Sequence, residues 1–229
     1  MTHAPNLIAN RSLTREDVAS IANDRASPAI FEKWVFDGED LSGLDLRACA
    51  FVSCSAAEAS FARSQLEGTH WLACKARNCD FGLADFTDAR FKDSDLNNST
   101  WTRSRLGSVV FDGVKLTGAR FREVVGLGFE FRNTLLVSAD LRGVSFRKQR
   151  WVDLDFSAAD LSGCDFRRAI FDGGSLRDAN VKGAQFEGAD LRRVDLGGLD
   201  PGSVVNFKKA TISFEQAAAL AAALGLLVA

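Results

Sequence analysis

Ala159-Asp160-Leu161-Ser162-Gly163, Cys164-Asp165-Phe166-Arg167-Arg168 and Ala169-Ile170-Phe171-Asp172-Gly173 follow one another without a gap. Each quintet opens on a small residue, places a large apolar residue third, and closes on polar residues or Gly. Stepping outward by fives, the large centre recurs from Phe31 to Leu196 through 34 consecutive pentads, as fifteen Phe, twelve Leu and three Trp. Only Ala56, Ala76, Gly126 and Val181 depart from the rule. A period of five fits neither the 3.6 of a helix nor the 2 of a strand, so the chain is a repeat architecture.

Two residues before each centre lies a small side chain, most often Ala, then Cys, Val or Ser, and only Trp34, Glu39, Phe129 and Gln149 break this pattern. The residue just before the centre is repeatedly Asp, Asn, Ser or Thr, as in Ala84-Asp85-Phe86. A chain with two inward residues in every five must turn after each pentad so that both reach a common axis. Asp, Asn, Ser and Gly suit such corners, and stacked coils supply partners for the remaining backbone groups. A narrow β-solenoid follows. Within it Phe129, oversized for its slot, is expected to occupy the void left by Gly126.

This alternation of Ala, Asp or Asn, Leu or Phe and two free positions resembles the pentapeptide-repeat family, over about three quarters of the chain. The resemblance implies an all-β solenoid, a right-handed quadrilateral parallel β-helix with four pentads per coil. Residues 29–200 would then form about eight and a half coils, a rod on the order of 40 Å long. One column of centres is almost wholly aromatic: Phe31, Phe51, Trp71, Phe91, Phe111, Phe131, Trp151 and Phe171.

Repeat arrays need capped ends. Residues 1–28 are read as an N-terminal segment with a short helix from about Thr14 to Asn23, and Pro28 marks entry to the first coil. At the other end Pro201-Gly202 stops the repeat, and residues 201–229 form a helix and tail. Ser213-Phe214-Glu215-Gln216 has the spacing of a capping box, and Gly225 closes the helix. This ending resembles the C-termini of pentapeptide proteins conferring quinolone or albicidin resistance. The resemblance implies an end-to-end homodimer, with Phe214, Leu220, Leu224, Leu226 and Leu227 at its interface.

Chemistry has little to work with. There is no Tyr, and the only histidines are His3 and His70. All five cysteines (Cys49, Cys54, Cys74, Cys79, Cys164) fall in the small inward slot, where Cys replaces Ala as a core residue. Asp before the centre recurs too regularly to mark a catalytic pair. No phosphate loop, nucleophile elbow or HExxH motif is present. The expectation is a non-enzyme with no cofactor and no metal.

With a net charge of -2 and a pI near 5.8, direct nucleic-acid binding is not expected. Neither a membrane span nor a leader is read, so a cytoplasmic, bacterial-type protein is expected. Residues 31–100 carry seven basic and twelve acidic side chains, residues 101–200 sixteen and fourteen. Outward apolar residues flank the aromatic column at Ile30, Val52, Leu72, Val110, Val152 and Ile170 and mark a candidate partner face. The sequence therefore reads as an interaction or regulatory module that binds an unidentified protein through a solenoid face. The resemblance implies an alternative: a DNA mimic that engages DNA gyrase, for which the missing acidic excess is a poor fit.

Overall fold

The computed structural model describes residues 12–23, 28–199 and 201–227. Its pentad geometry is set by one residue in five, the second after each centre. Arg63, Asp88, Asn98 and Ser108 occupy it with φ of 60°, 61°, 59° and 56°, and Gly takes the same place at Gly43, Gly118 and Gly163. This left-handed residue turns the chain by one corner per pentad, which is the physical origin of the fivefold period.

Backbone hydrogen bonds explain the remaining positions. In the pentad Ala84–Asp88, Ala84 N donates within the coil to Phe81 O, and Asp85 N to Ser64 O of the preceding coil. Phe86 N and Asp88 N donate to Arg105 O and Gly107 O of the next coil. Thr87 N alone has no main-chain acceptor, and the Asp85 carboxylate takes it at 3.0 Å. Asp80, Asp140, Asp160, Asp165, Asp190 and Asp195 serve the amide two residues on in the same way. The aspartates thus sit on the flat part of the coil, three residues before the corner that the sequence reading gave them, and act through Asx turns.

From the first coil to Asp195, neighbouring coils are offset by 20 residues. Four parallel ladders result: Ile30–Glu32 and its successors, Val35↔Ser55↔Lys75, Asp40↔Ser60↔Asp80 and Asp45↔Gln65↔Asp85. On the first face the pairing is continuous enough to form strands: β1 (Ile30–Glu32), β2 (Ala50–Val52), β3 (His70–Leu72), β4 (Arg90–Lys92), β5 (Val110–Asp112), β6 (Glu130–Arg132), β7 (Arg150–Val152) and β8 (Ile170–Asp172). This is the expected four-sided parallel β-solenoid.

All large centres except Gly126 are buried. Rings stack up the first face, with centroids 5.2 Å apart for Phe31–Phe51, 4.1 Å for Phe51–Trp71 and 5.0 Å for Phe91–Phe111. Polar members of the small slot are satisfied in place. Cys54, Ser64 and Cys164 donate to the carbonyls of Phe31, Leu41 and Leu141, the centres one coil back, at 3.1, 2.9 and 3.0 Å. Each buried indole finds its acceptor in the same slot, two residues upstream: Trp71 on Thr69, Trp101 on Ser99 and Trp151 on Gln149. Gln149 breaks the small-residue rule because it carries that acceptor.

Helix α1 (Arg15–Ala22) begins at a Thr14–Asp17 capping box and buries Val18 on the first coil. Arg15 donates to the carbonyls of Asp40 and Ser42 at 2.7 Å each, covering the open edge. At the far end a 3-10 helix, Pro201–Phe207, replaces one side of a coil, and the offset grows to 21 residues at Asp190↔Thr211. Phe207 then stacks on Phe186 at 4.5 Å. The ring stack thus runs on to Phe207, beyond Pro201-Gly202, where the pentad register gives way to the 3-10 helix. Helix α2 (Phe214–Ala223) opens on the Ser213–Gln216 capping box. It closes with Gly225 N on Ala222 O and Leu226 N on Ala221 O, a Schellman turn around Gly225 at φ 78°.

Candidate functional site

The interior of this rod is closed to chemistry. All five cysteines are buried and unbridged, and burial pushes the Cys164 thiol up to about 12. The Cys74 thiol is raised by its hydrogen bond with Cys54 and by burial. Function is therefore sought on the outer faces and ends.

Charges on the outer faces are largely consumed in pairs. Where Arg stands two residues after Asp, the guanidinium folds back onto that carboxylate: Arg142 on Asp140 at 2.7 Å, Arg167 on Asp165 at 2.7 Å and Arg192 on Asp190 at 2.6 Å. These hydrogen bonds hold the three aspartates below the usual carboxylate range. Asp172 is held down likewise by Arg150 and Arg193. The basic runs visible in the sequence are thus mostly neutralised. Arg147, Lys148 and Arg168 are different: they are exposed and make no ion pair among the described residues.

The candidate partner face maps onto the outside of the strands. Val52 and Leu72 are paired neighbours across β2 and β3. Val110, Val152 and Ile170 lie farther along, separated by Arg90, Lys92, Glu130, Arg132 and Arg150. The structure brings two of the six together and leaves the others, Ile30 beside Ala50 included, as single apolar residues.

The C-terminal end gathers its apolar residues more densely. Phe214, Leu224, Leu226 and Leu227 are 79%, 54%, 59% and 100% exposed, while Leu220 is half-buried. Among its described residues α2 buries none of its side chains, in contrast to α1. It is held by the Gln216 amide, which donates to Leu191 O and Val194 O at 2.8 and 2.6 Å. Beneath it a cleft of about 440 Å³ is lined by Val194, Leu196, Leu199, Ala219, Leu220 and Ala223, with Arg177, Asp195, Glu215 and Gln216 among its other lining residues. Val228, next in the tail, lies outside the described residues.

A third feature escaped the sequence reading. Phe129 is buried, edge-on to Phe131 and Phe146 at 5.8 and 5.9 Å, while Gly126 is turned out. The void-filling expected of Phe129 therefore holds, with a consequence. Segment 123–133 keeps its bonds to the coil before it, such as Val125 N to Ser104 O and Glu130 N to Val109 O. Its ladder to segment 143–153 is broken: Val125 has no bridge to Ser145, and β6 does not pair with β7. No ring contact joins Phe131 to Trp151; Phe146 stands between them at 6.3 and 5.0 Å. The Gln149 amide reaches across to Phe129 O at 3.3 Å, in place of the backbone bond. Val125 and Leu127 on the upper lip are 55% and 88% exposed. The signal was present in three separate irregularities, Gly126, Phe129 and Gln149, that share one corner of the solenoid.

Comparison with known proteins agrees with the geometry. A profile of the pentapeptide repeat region matches residues 27–101 and 44–121, and one of eight pentapeptide copies matches residues 152–193. No curated relative matches the sequence. A trypsin-treated variant of QnrB1, a plasmid-mediated fluoroquinolone resistance protein, shares the fold with a TM-score of 0.70 and 22% identity, over 89% of this chain and 100% of that one. Full-length QnrB1 gives 0.51 and 20% over 95% and 98%. HetL, a pentapeptide repeat protein involved in heterocyst differentiation regulation from the cyanobacterium Nostoc, gives 0.48 and 20% over 86% and 94%. With the profile matches covering more than half of its length, the chain belongs to the pentapeptide-repeat family.

Proposed function

We propose that this protein is a non-enzymatic interaction rod that self-associates end to end through α2 and presents its solenoid surface to a protein partner. The supporting observation is the exposed apolar end of Phe214, Leu224, Leu226 and Leu227 above a cleft lined in large part by apolar side chains. A helix that served only as a lid would turn its large side chains onto the last coil, as α1 does with Val18. A second copy docked on α2 would cover these residues and complete the cleft. Light scattering tests this directly: the expected mass is about 50 kDa, twice the 24.8 kDa chain. Replacing Leu224 and Leu227 together by Glu should return the mass to that of one chain. A single-chain mass for the wild-type protein at tens of micromolar removes the dimer.

The alternative partner is DNA gyrase, approached by a rod that imitates duplex DNA. Such mimicry calls for carboxylates at successive coils, and the outward columns mix signs instead: Asp40, Ser60, Asp80, Thr100, Arg120, Asp140 along one face. A supercoiling assay with and without a fluoroquinolone discriminates. Unchanged supercoiling and unchanged cleavage complexes at micromolar protein leave the partner elsewhere; a change in either gives gyrase the place.

A further inference from the structure

The splayed corner has the chemistry of a peptide-binding edge. In a regular coil each centre amide and each corner amide donates to the coil below. Here the amides of Gly126, Gly128, Phe131 and Asn133 find no main-chain acceptor among the described residues. On the opposite lip the carbonyls of Ser145, Arg147, Arg150 and Val152 receive no ladder bond. Two parallel edges with matching donors and acceptors therefore face each other across one interrupted corner. Elsewhere between Phe31 and Phe171 the centre and corner amides, Glu123 apart, donate to the next coil.

The two lips differ in character. The upper one is apolar, with Val125 and Leu127 exposed around Gly126 and Gly128. The lower one is basic, with Arg147, Lys148 and, one coil on, Arg168. These three cations make no ion pair among the described residues, whereas Arg142, Arg150 and Arg167 beside them are each held by an aspartate. Behind the slit the rings of Phe129 and Phe146 are buried in the core, 4% and 0% exposed.

We propose that this slit is the docking site for an extended, acidic segment of a partner protein, bound by strand addition. Main-chain groups of the segment complete the broken ladder. Because side chains alternate along a strand, every second residue turns inward, toward the buried rings of Phe129 and Phe146, and is apolar. The intervening residues face outward, where carboxylates meet Arg147, Lys148 and Arg168. This deepens the interaction-rod reading and rests on it, by naming the place and the kind of partner. Gly126 keeps the slit open: a Cβ there would lie 2.5 Å from Gly107 N, so no other residue can follow this path.

The probe is a fluorescein-labelled octapeptide alternating valine and glutamate, followed by anisotropy. Its counterparts are a valine–lysine octapeptide and a valine–glutamate octapeptide N-methylated at alternate amides. Saturable binding of the first is expected, weakened at least roughly tenfold by either change. The same loss is expected on substituting Arg147→Glu with Lys148→Glu. A repaired chain, Gly126→Leu with Phe129→Ala, restores the regular pentad and should close the slit and lose the peptide. Equal binding of the lysine or N-methylated peptide overturns the proposal, as does full binding by a folded repaired chain. Should the repaired chain not fold, hydrogen exchange on the wild-type protein decides. Peptide-induced protection confined to residues 124–133 and 143–153 supports the slit, and protection elsewhere overturns it. Absence of peptide binding with an intact dimer mass removes the slit and leaves the rod reading standing.

Discussion

At the scale of single residues, the inward slot two places before each centre does more than leave room. Thr69 is the clearest case: its hydroxyl donates to Leu66 O at 2.7 Å and accepts the Trp71 indole at 3.1 Å. Replacing Thr69 by Val preserves shape and leaves a buried N–H unpaired, so the chain should lose about 1–3 kcal/mol. Urea unfolding measures it; a loss under about half a kcal/mol would mean that the indole does not depend on this hydroxyl. Such pairings were half legible beforehand. The centres announce themselves because burial selects Phe, Leu and Trp at a fixed spacing. Gln149 showed only as an exception, since nothing in its neighbours' identity says that Trp151 needs an acceptor there.

At the scale of the turn and the helix, local rules read well where they join side chain to side chain. Both capping boxes, Thr14 with Asp17 and Ser213 with Gln216, lie where their spacing places them. Rules that join backbone to backbone were out of reach. Phe207 stacks on Phe186 at a step of 21, which a count by fives passes over. The broken ladder beside Phe129 left only three scattered irregularities in the sequence, Gly126, Phe129 and Gln149, and a count by fives does not show that they meet at one corner. The Asx turns carry a pH dependence that follows from the lowered values of Asp140, Asp165 and Asp190. Carboxylates depressed in the folded state stabilise it fully above their unfolded value, 3.8, and lose that contribution as pH falls through the folded value. Thermal stability attributable to them should be flat from about pH 7 to 5 and decline below about pH 4. Asp140→Asn gives the control: its deficit against wild type should shrink on acidification, and a constant deficit down to pH 2 would assign the effect to packing.

At the scale of the whole molecule, away from the splayed corner and the last coil, the offset of 20 residues means that each coil meets its neighbours through the same four ladders. Length is then a free parameter of the fold, and the rod behaves as a ruler graduated in whole coils. Removing residues 71–90 brings Phe51 into register with Phe91 and should give a folded protein shorter by roughly 4.8 Å. Removing residues 71–89 instead deletes all but one position of the same coil, shifts every later centre off the axis, and should abolish cooperative unfolding. Circular dichroism melts of the two deletions compare them directly, and equal melting temperatures would contradict the ruler. A lineage could therefore change the distance between the α2 end and the splayed corner, or between that corner and α1, in fixed increments, without redesigning either end.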